Sequence, residues 1–240
     1  MAAPAFGAGW SPLPASAEEG EVIAQGLKGL GVKPLMGAAA TTGALLQARG
    51  PKVLHLASHG YFSEGASGCD PLLNSGIVLA GADASRLPNK ACGGVPSAPG
   101  DQAAQAGRSA NAAAAADDGY LTAKEASGLQ LDGTELVVLS ACNTASGTLQ
   151  SGEGVYGLQR ALTVAGARST LLSLWKVDDA ATREFMKRYY ELLHKGVGRM
   201  EALVQVQEEF RSHPKQKDWG DHKYWAAWQL TGDGGPVPGL

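Results

Sequence analysis

The sequence has little charge, few cysteines and no long apolar run, and each shortage excludes a class of protein. Only 18% of its 240 residues are charged and the net charge is -3, so it lacks the strongly basic face of nucleic-acid-binding proteins. Its three cysteines, Cys69, Cys92 and Cys142, are too few for a disulfide framework and lack the spacing of metal ligands.

Signals for a membrane or for secretion are also missing from the sequence. No apolar run reaches the roughly 18 residues that a transmembrane helix needs. The first residues contain neither a basic region nor a continuous apolar segment, so no secretory signal is predicted. We therefore expect an intracellular protein with reduced thiols, in the cytoplasm unless an organelle signal directs it elsewhere, that binds neither nucleic acid nor membrane.

The apolar content of 44% is enough for one α/β domain with a packed core, which we assign to residues 15–232. Residues 1–14 are rich in Ala, Gly and Pro and predict a disordered leader. Residues 84–118 are of low complexity and almost without large apolar side chains, so they predict a surface insertion that cannot offset its ordering entropy. Residues 233–240 predict a flexible Gly/Pro tail.

Buried strands alternate with helices along the rest of the chain. Near-continuous apolar runs at residues 53–58, 134–140 and 169–175 are typical of strands buried on both faces, and amphipathic patterns separate them. This order predicts an α/β fold with a mostly parallel sheet. The crevice of such a sheet lies beyond the carboxyl ends of its strands, and two of the runs lead into His59 and Cys142.

A cysteine and a histidine at neighbouring strand ends can form a nucleophilic pair. A thiol needs a nearby base to raise its thiolate fraction, and the main-chain N–H groups of Gly60 and Cys142 could hold the oxyanion of an attacked carbonyl. A single Cys after a strand is also commonly a small buried apolar residue, and a His there is commonly a polar cap. The spacing alone does not decide between these interpretations.

Metal binding is not predicted. His55 and His59 share one face of a strand, but they are separated by about 13 Å along it, and no third ligand follows. We expect neither a metal nor a cofactor.

Two sequence blocks carry a resemblance to a known family. Residues 55–60 (HLASHG) and 136–144 (LVVLSACNT) resemble the two signature blocks of the CHAT domain, a caspase-like domain related to separases and to the clan CD cysteine peptidases. Further blocks agree in order: residues 13–16 with Glu19, 40–41 with Leu45, 75–79, 152–154, 165–167, 173–179, 202–203, and 224–227 with Gly232.

The resemblance implies a caspase-like three-layer sandwich and a His/Cys dyad. His59 then is the general base and Cys142 the nucleophile. By resemblance to separases, Asp179 lies where an acidic residue binds a basic P1 side chain. Glu153 lies in the Gly-rich loop after the cysteine and is a candidate for shaping the substrate entrance, although a charge in such a loop is commonly only solvated. Either Asp178 or Asp179 is also expected to cap the following helix.

Two functions fit the resemblance. The first is a cysteine endopeptidase that hydrolyses protein or peptide substrates, with cleavage after a basic P1 residue. The second is a non-catalytic interaction module that is regulated by a partner protein or by tetratricopeptide repeats. Because few residues precede the first family block, the sequence predicts either a fragment of a longer protein or a sheet that lacks an N-terminal strand.

Overall fold

A central eight-stranded sheet forms the core of the computed structural model, which describes residues 1–62, 70–88, 117–143 and 153–240. Within those ranges the strands are β1 (Ala2–Pro4), β2 (Met36–Gly37), β3 (Val53–Phe62), β4 (Ser75–Val78), β5 (Tyr120–Thr122), β6 (Leu136–Asn143), β7 (Ser169–Ser173) and β8 (Trp228–Gly232). For Cys142 and Glu153 only the backbone is described.

The sheet is mixed but mostly parallel. Its main path runs β2-β1-β3-β6-β7-β8, and β4 pairs with both β3 and β5. The pairs β1–β2, β1–β3, β3–β6 and β6–β7 are parallel, whereas β3–β4, β4–β5 and β7–β8 are antiparallel. The predicted α/β architecture, consistent with a caspase-like fold, is confirmed.

Helices cover both faces of the sheet. They are α1 (Pro14–Gly26), α2 (Thr42–Leu46), α3 (Ala123–Ala126), α4 (Glu153–Val164), α5 (Asp179–His194), α6 (Arg199–Ser212) and α7 (His222–Trp225). The core against α1, α5 and α6 contains Val138 of β6, and the core against α2, α3 and α4 contains Val137 and Leu139. Because successive strand residues point to opposite faces, β6 supplies both cores.

A short strand, β1, lies at the N-terminus, although the sequence predicts a sheet without an N-terminal strand. Residues of β1 lie in the predicted leader, yet Ala2 is buried and pairs with Met36 on one side and Ala57 on the other. The leader prediction was wrong at this point because tertiary pairing formed a strand from residues with low strand propensity.

The predicted C-terminal tail contacts the core, whereas most of the predicted insertion lies outside the described residues. Val237 is buried in the core and the carbonyl of Gly235 accepts a hydrogen bond from Arg199, so the predicted flexible tail is anchored to the domain at these two residues. Of the insertion predicted at 84–118, residues 89–116 lie outside the described ranges. Its first residues, Ala84–Arg86, form a short 3-10 helix.

Among the described residues, no helix has both the length and the apolar character that crossing a bilayer requires.

Candidate active site

His59 and Cys142 occupy directly paired positions of two neighbouring parallel strands. In the β3–β6 ladder, His55 pairs with Val138, Ala57 with Ser140 and His59 with Cys142. Paired positions of adjacent strands share a face of the sheet. The two sequence blocks that look unrelated along the chain therefore meet at one point of one ladder.

The strand that carries His59 continues beyond it. The sequence predicted that β3 would end near Ser58, but it extends to Phe62. Gly60 pairs with Asn143 of β6 and with Ile77 of β4, and Tyr61 pairs with Gly76. The antiparallel strand β4 supplies the hydrogen-bonding partner that keeps these last residues extended, a non-local effect that the apolar run did not reveal.

The side chain of His59 is covered by residues 5–11, which we call the strap. Only 2% of His59 is exposed. Its ring centroid lies 4.9 Å from that of Phe6 and 5.3 Å from that of Trp10, and its Nε2 lies 2.8 Å from the carbonyl oxygen of Ser11.

The contact with Ser11 fixes which nitrogen of the neutral imidazole carries the proton. A carbonyl oxygen can only accept a hydrogen bond, so Nε2 of His59 is the protonated nitrogen and donates to Ser11. Nδ1 is then the basic nitrogen of the neutral ring. An imidazole held in one tautomer can act as a base through its other nitrogen.

Burial lowers the pKa of His59, since the charged ring is removed from water. The carbonyl of Ser11 opposes this shift by accepting the Nε2 proton, while the positive charge of Lys176 adds to the lowering. The result is an imidazole that is neutral at neutral pH, which is the form a general base needs.

A buried polar network lies on the same face of the two strands, two residues before Cys142 at Ser140 and four residues before His59 at His55. Glu19 of α1 has Oε1 3.2 Å from Nε2 of His55, and its Oε2 accepts a hydrogen bond from Ser140 at 3.1 Å. Nδ1 of His55 is 3.0 Å from the hydroxyl of Tyr190 in α5. Glu19 is 3% exposed. The network thus joins α1 and α5 to the two strands that carry His59 and Cys142.

The two predicted acidic residues after β7 have different roles. The side chain of Asp178 accepts a hydrogen bond from the N–H of Ala181 at 3.0 Å, so it is the N-cap of α5. This confirms that one of the pair caps the helix. Asp179 is the first residue of α5 and is exposed. Glu153 begins α4, and its side chain lies outside what the structure describes.

Across the described ranges, no three His, Cys, Asp or Glu side chains are grouped as metal ligands. His55, which the sequence analysis considered together with His59 as a metal ligand, contacts Glu19 and Tyr190 instead. Cys69 and Cys92 lie outside the described residues.

Sequence reasoning did not find the residues that surround His59. Phe6, Trp10 and Ser11 belong to the predicted leader, and Tyr120 follows the predicted insertion. One signal was available: Phe6 and Trp10 are large aromatic residues in a segment that otherwise has small ones, and such residues are rarely left in water.

Comparison with protein families agrees with this architecture. The model of the CHAT domain matches residues 1–233. The chain belongs to the CHAT domain family. This is a caspase-like family, and the two signature blocks of the resemblance are the ones that pair His59 with Cys142.

Among curated proteins, this domain is similar to part of two tetratricopeptide repeat proteins. Tetratricopeptide repeat protein 28 of Homo sapiens is 28% identical to this CHAT domain over 232 residues, and its counterpart of Mus musculus is 26% identical over 232 residues. The match covers 93% of this chain but only 8% of the human and 9% of the mouse protein. The chain therefore spans less than a tenth of these relatives.

Proposed function

We propose that this CHAT domain is a cysteine endopeptidase in which Cys142 is the nucleophile and His59 the general base. The observation that carries the proposal is the direct pairing of positions 59 and 142 between β3 and β6. The fixed tautomer of His59, with Nδ1 as its basic nitrogen, supports it.

The proposed reaction needs only groups of the chain and a water molecule. Nδ1 of His59 takes the thiol proton, and the sulfur of Cys142 attacks the peptide carbonyl carbon. The N–H groups of Gly60 and Cys142 stabilise the resulting oxyanion. His59 then gives the proton to the leaving amine, a thioester remains on the sulfur, and water hydrolyses it to release the acid and the thiol.

Selectivity for a basic P1 residue is proposed to come from Asp179, with Glu153 at the entrance. Asp179 is an exposed carboxylate at the start of α5, the first helix after β7, and β7 is the neighbour of β6. A carboxylate pairs strongly with Arg or Lys through charge-assisted hydrogen bonds. Cleavage after Arg or Lys is the expected preference.

A second candidate is a non-catalytic interaction module. One observation favours it: His59 is only 2% exposed beneath the strap, which leaves the imidazole little access to a substrate. In this alternative a protein partner or a tetratricopeptide repeat region acts on the domain. The names of the two relatives indicate such repeats in those proteins, and we propose the same context here.

A peptide library and a thiol-directed probe separate the two candidates. The full chain is treated with a peptide acyloxymethyl ketone that carries Arg at P1, and the labelled cysteine is located by mass spectrometry. The endopeptidase predicts labelling of Cys142 in preference to Cys69 and Cys92, with cleavage abolished in Cys142→Ala and strongly reduced in His59→Ala.

The outcomes of this experiment are distinct. Equal labelling of the three cysteines, or cleavage that persists in Cys142→Ala, would rule out Cys142 as the nucleophile and favour the module. A library preference for acidic or apolar P1 residues would leave the dyad in place but remove Asp179 as the selectivity residue.

A further inference from the structure

Trp10 is anchored to the ends of the predicted insertion by a chain of two hydrogen bonds. Its Nε1–H donates to the hydroxyl of Tyr120 at 3.0 Å, and that hydroxyl donates to the carbonyl of Asp83 at 2.6 Å. Tyr120 is fully buried. The hydroxyl therefore uses its acceptor capacity for Trp10 and its single proton for Asp83.

Backbone hydrogen bonds hold the first residues of the strap in place. Gly7 donates to the carbonyl of Ala82, while the carbonyls of Ala5 and Ala8 accept from Gly81 and Ala84. Gly9 then turns the chain with a φ of 83°, in the left-handed region that suits glycine. Beyond this turn, the side chain of Trp10 supplies the next anchor, one residue before Ser11.

Because Ser11 follows Trp10 directly, whatever fixes Trp10 also fixes the Ser11 carbonyl. That carbonyl selects the tautomer of His59 through Nε2. The indole of Trp10 adds a second constraint, since its ring lies 5.3 Å from the imidazole with an angle of 31° between the planes. The Trp10 side chain thus holds both the ring of His59 and the acceptor of its proton.

We propose that Trp10 and Tyr120 are positioning residues for His59, which hold the Ser11 carbonyl on Nε2 through the Trp10–Tyr120–Asp83 hydrogen bonds and so keep Nδ1 as the basic nitrogen. Neither residue touches the reacting atoms. The consequence for Cys142 rests on the proposed function, but the tautomer of His59 does not.

The test reads the tautomer directly. The full chain is labelled with ¹⁵N-histidine, and two-bond ¹H–¹⁵N correlations at about pH 8, where an imidazole is neutral, report which nitrogen of His59 is protonated. The wild-type chain is expected to hold the Nε2–H form almost completely. Tyr120→Phe keeps the ring and removes the hydroxyl, and Trp10→Phe keeps an aromatic ring and removes the N–H donor. Each is expected to raise the Nδ1–H fraction about fivefold, the effect of losing one neutral hydrogen bond.

Tyr61→Phe is the matched control. It removes the hydroxyl of a buried tyrosine that lies two residues after His59. The ring of Tyr61 is 5.5 Å from that of Tyr120. The hydroxyl of Tyr61, however, donates towards the carbonyl of Leu73 and takes no part in the Trp10–Tyr120–Asp83 hydrogen bonds. Its His59 tautomer is expected to match that of the wild type. The Trp10→Phe variant keeps the test usable if Tyr120→Phe fails to fold.

Three results would overturn the proposal: a wild-type His59 in the Nδ1–H form, an unchanged tautomer in folded Tyr120→Phe or Trp10→Phe, or an equal change in Tyr61→Phe. The rate of Cys142 alkylation against pH is measured in parallel. A tautomer that shifts in the variants, together with a Cys142 that is unreactive already in the wild type, would support the positioning role and overturn the endopeptidase. Failure of the proposed function is therefore distinguishable from failure of this inference.

Discussion

Oε1 of Glu19 lies 3.2 Å from Nε2 of His55, which brings a carboxylate of α1 into the buried interior against β3. A charge in such a place is tolerated when several partners satisfy it. Here Ser140 of β6 donates to the other oxygen of Glu19, and Tyr190 binds the second nitrogen of His55. The packing of α1 on the sheet therefore depends on a polar network as well as on apolar contact.

The first prediction concerns this network. Glu19→Ala removes the hydrogen-bond acceptor of the buried Ser140 and the carboxylate beside His55, so the free energy of unfolding is expected to fall by about 2 kcal/mol. Glu18→Ala is the matched control, because Glu18 is exposed and pairs with Arg183 at the surface, and its effect is expected to stay within about 0.5 kcal/mol. Urea denaturation measures both. Equal losses for the two variants would show that the network does not stabilise the fold.

The strands of the core were predictable because their apolar runs are nearly continuous. The runs at residues 53–58, 134–140 and 169–175 correspond to β3, β6 and β7. The same continuity hides the register, since a strand buried on both faces lacks the alternation that shows which residues share a face. The pairing of His59 with Cys142 could therefore be expected only from the family resemblance.

Local chemistry was also predictable, and non-local pairing was not. Thr122 and Glu125 form a capping box at the start of α3, and a Thr followed three residues later by a Glu is a pattern that the sequence alone shows. The strand β1 and the strap depend on partners far along the chain, such as Ala57 for Ala2 and Ala82 for Gly7. Their Ala, Gly and Pro residues carry no local signal for order.

The second prediction concerns the C-terminal residues. Arg199 is 1% exposed, donates to the carbonyl of Gly235 at 2.8 Å and lies 2.9 Å from Asp233. Its Nη1 also lies 3.1 Å from the Ser169 hydroxyl. Arg199→Ala removes a buried charge on which several acceptors depend, so the unfolding free energy is expected to fall by about 3–5 kcal/mol.

Arg211→Ala serves as the control for this variant. Arg211 is exposed and pairs with Glu208 on the same helix, so the variant is expected to unfold like the wild type. Limited proteolysis gives a second measurement, because loss of Arg199 should expose residues 233–240 to cleavage before the rest of the chain unfolds. An Arg199→Ala chain as stable and as resistant as Arg211→Ala would contradict the prediction.

The third prediction separates two adjacent carboxylates. Asp178 caps α5 and Asp179 does not, so Asp178→Ala is expected to lower the unfolding free energy by about 1 kcal/mol, while Asp179→Ala changes it little. In the proposed endopeptidase, Asp179→Ala weakens the preference for Arg and Lys at P1, and Asp178→Ala preserves it. Thermal unfolding and a P1 library measured on both variants give the comparison. Loss of the basic preference in Asp178→Ala alone would reverse the two roles.

The last prediction follows from the pKa of His59, which burial lowers below its usual value of 6.5. A base whose pKa is lower in the folded state binds its proton better in the unfolded chain. The stability that the neutral ring contributes is thus complete above the unfolded pKa. It decreases as the pH falls below that value, and the decrease ends once the pH is below the folded pKa.

His59→Gln has no proton to bind at this position. Urea denaturation gives the difference in unfolding free energy between the wild type and His59→Gln. This difference is expected to be constant above about pH 7.5 and to shift against the wild type at lower pH. Its slope against pH is expected to correspond to at most one proton taken up on unfolding. His222→Gln is the matched control, since the side chain of His222 is 79% exposed. A difference that does not change with pH, or that shifts in favour of the wild type in acid, would mean that the folded chain accepts a charged imidazole at position 59. That result would remove the physical basis for treating His59 as a neutral base.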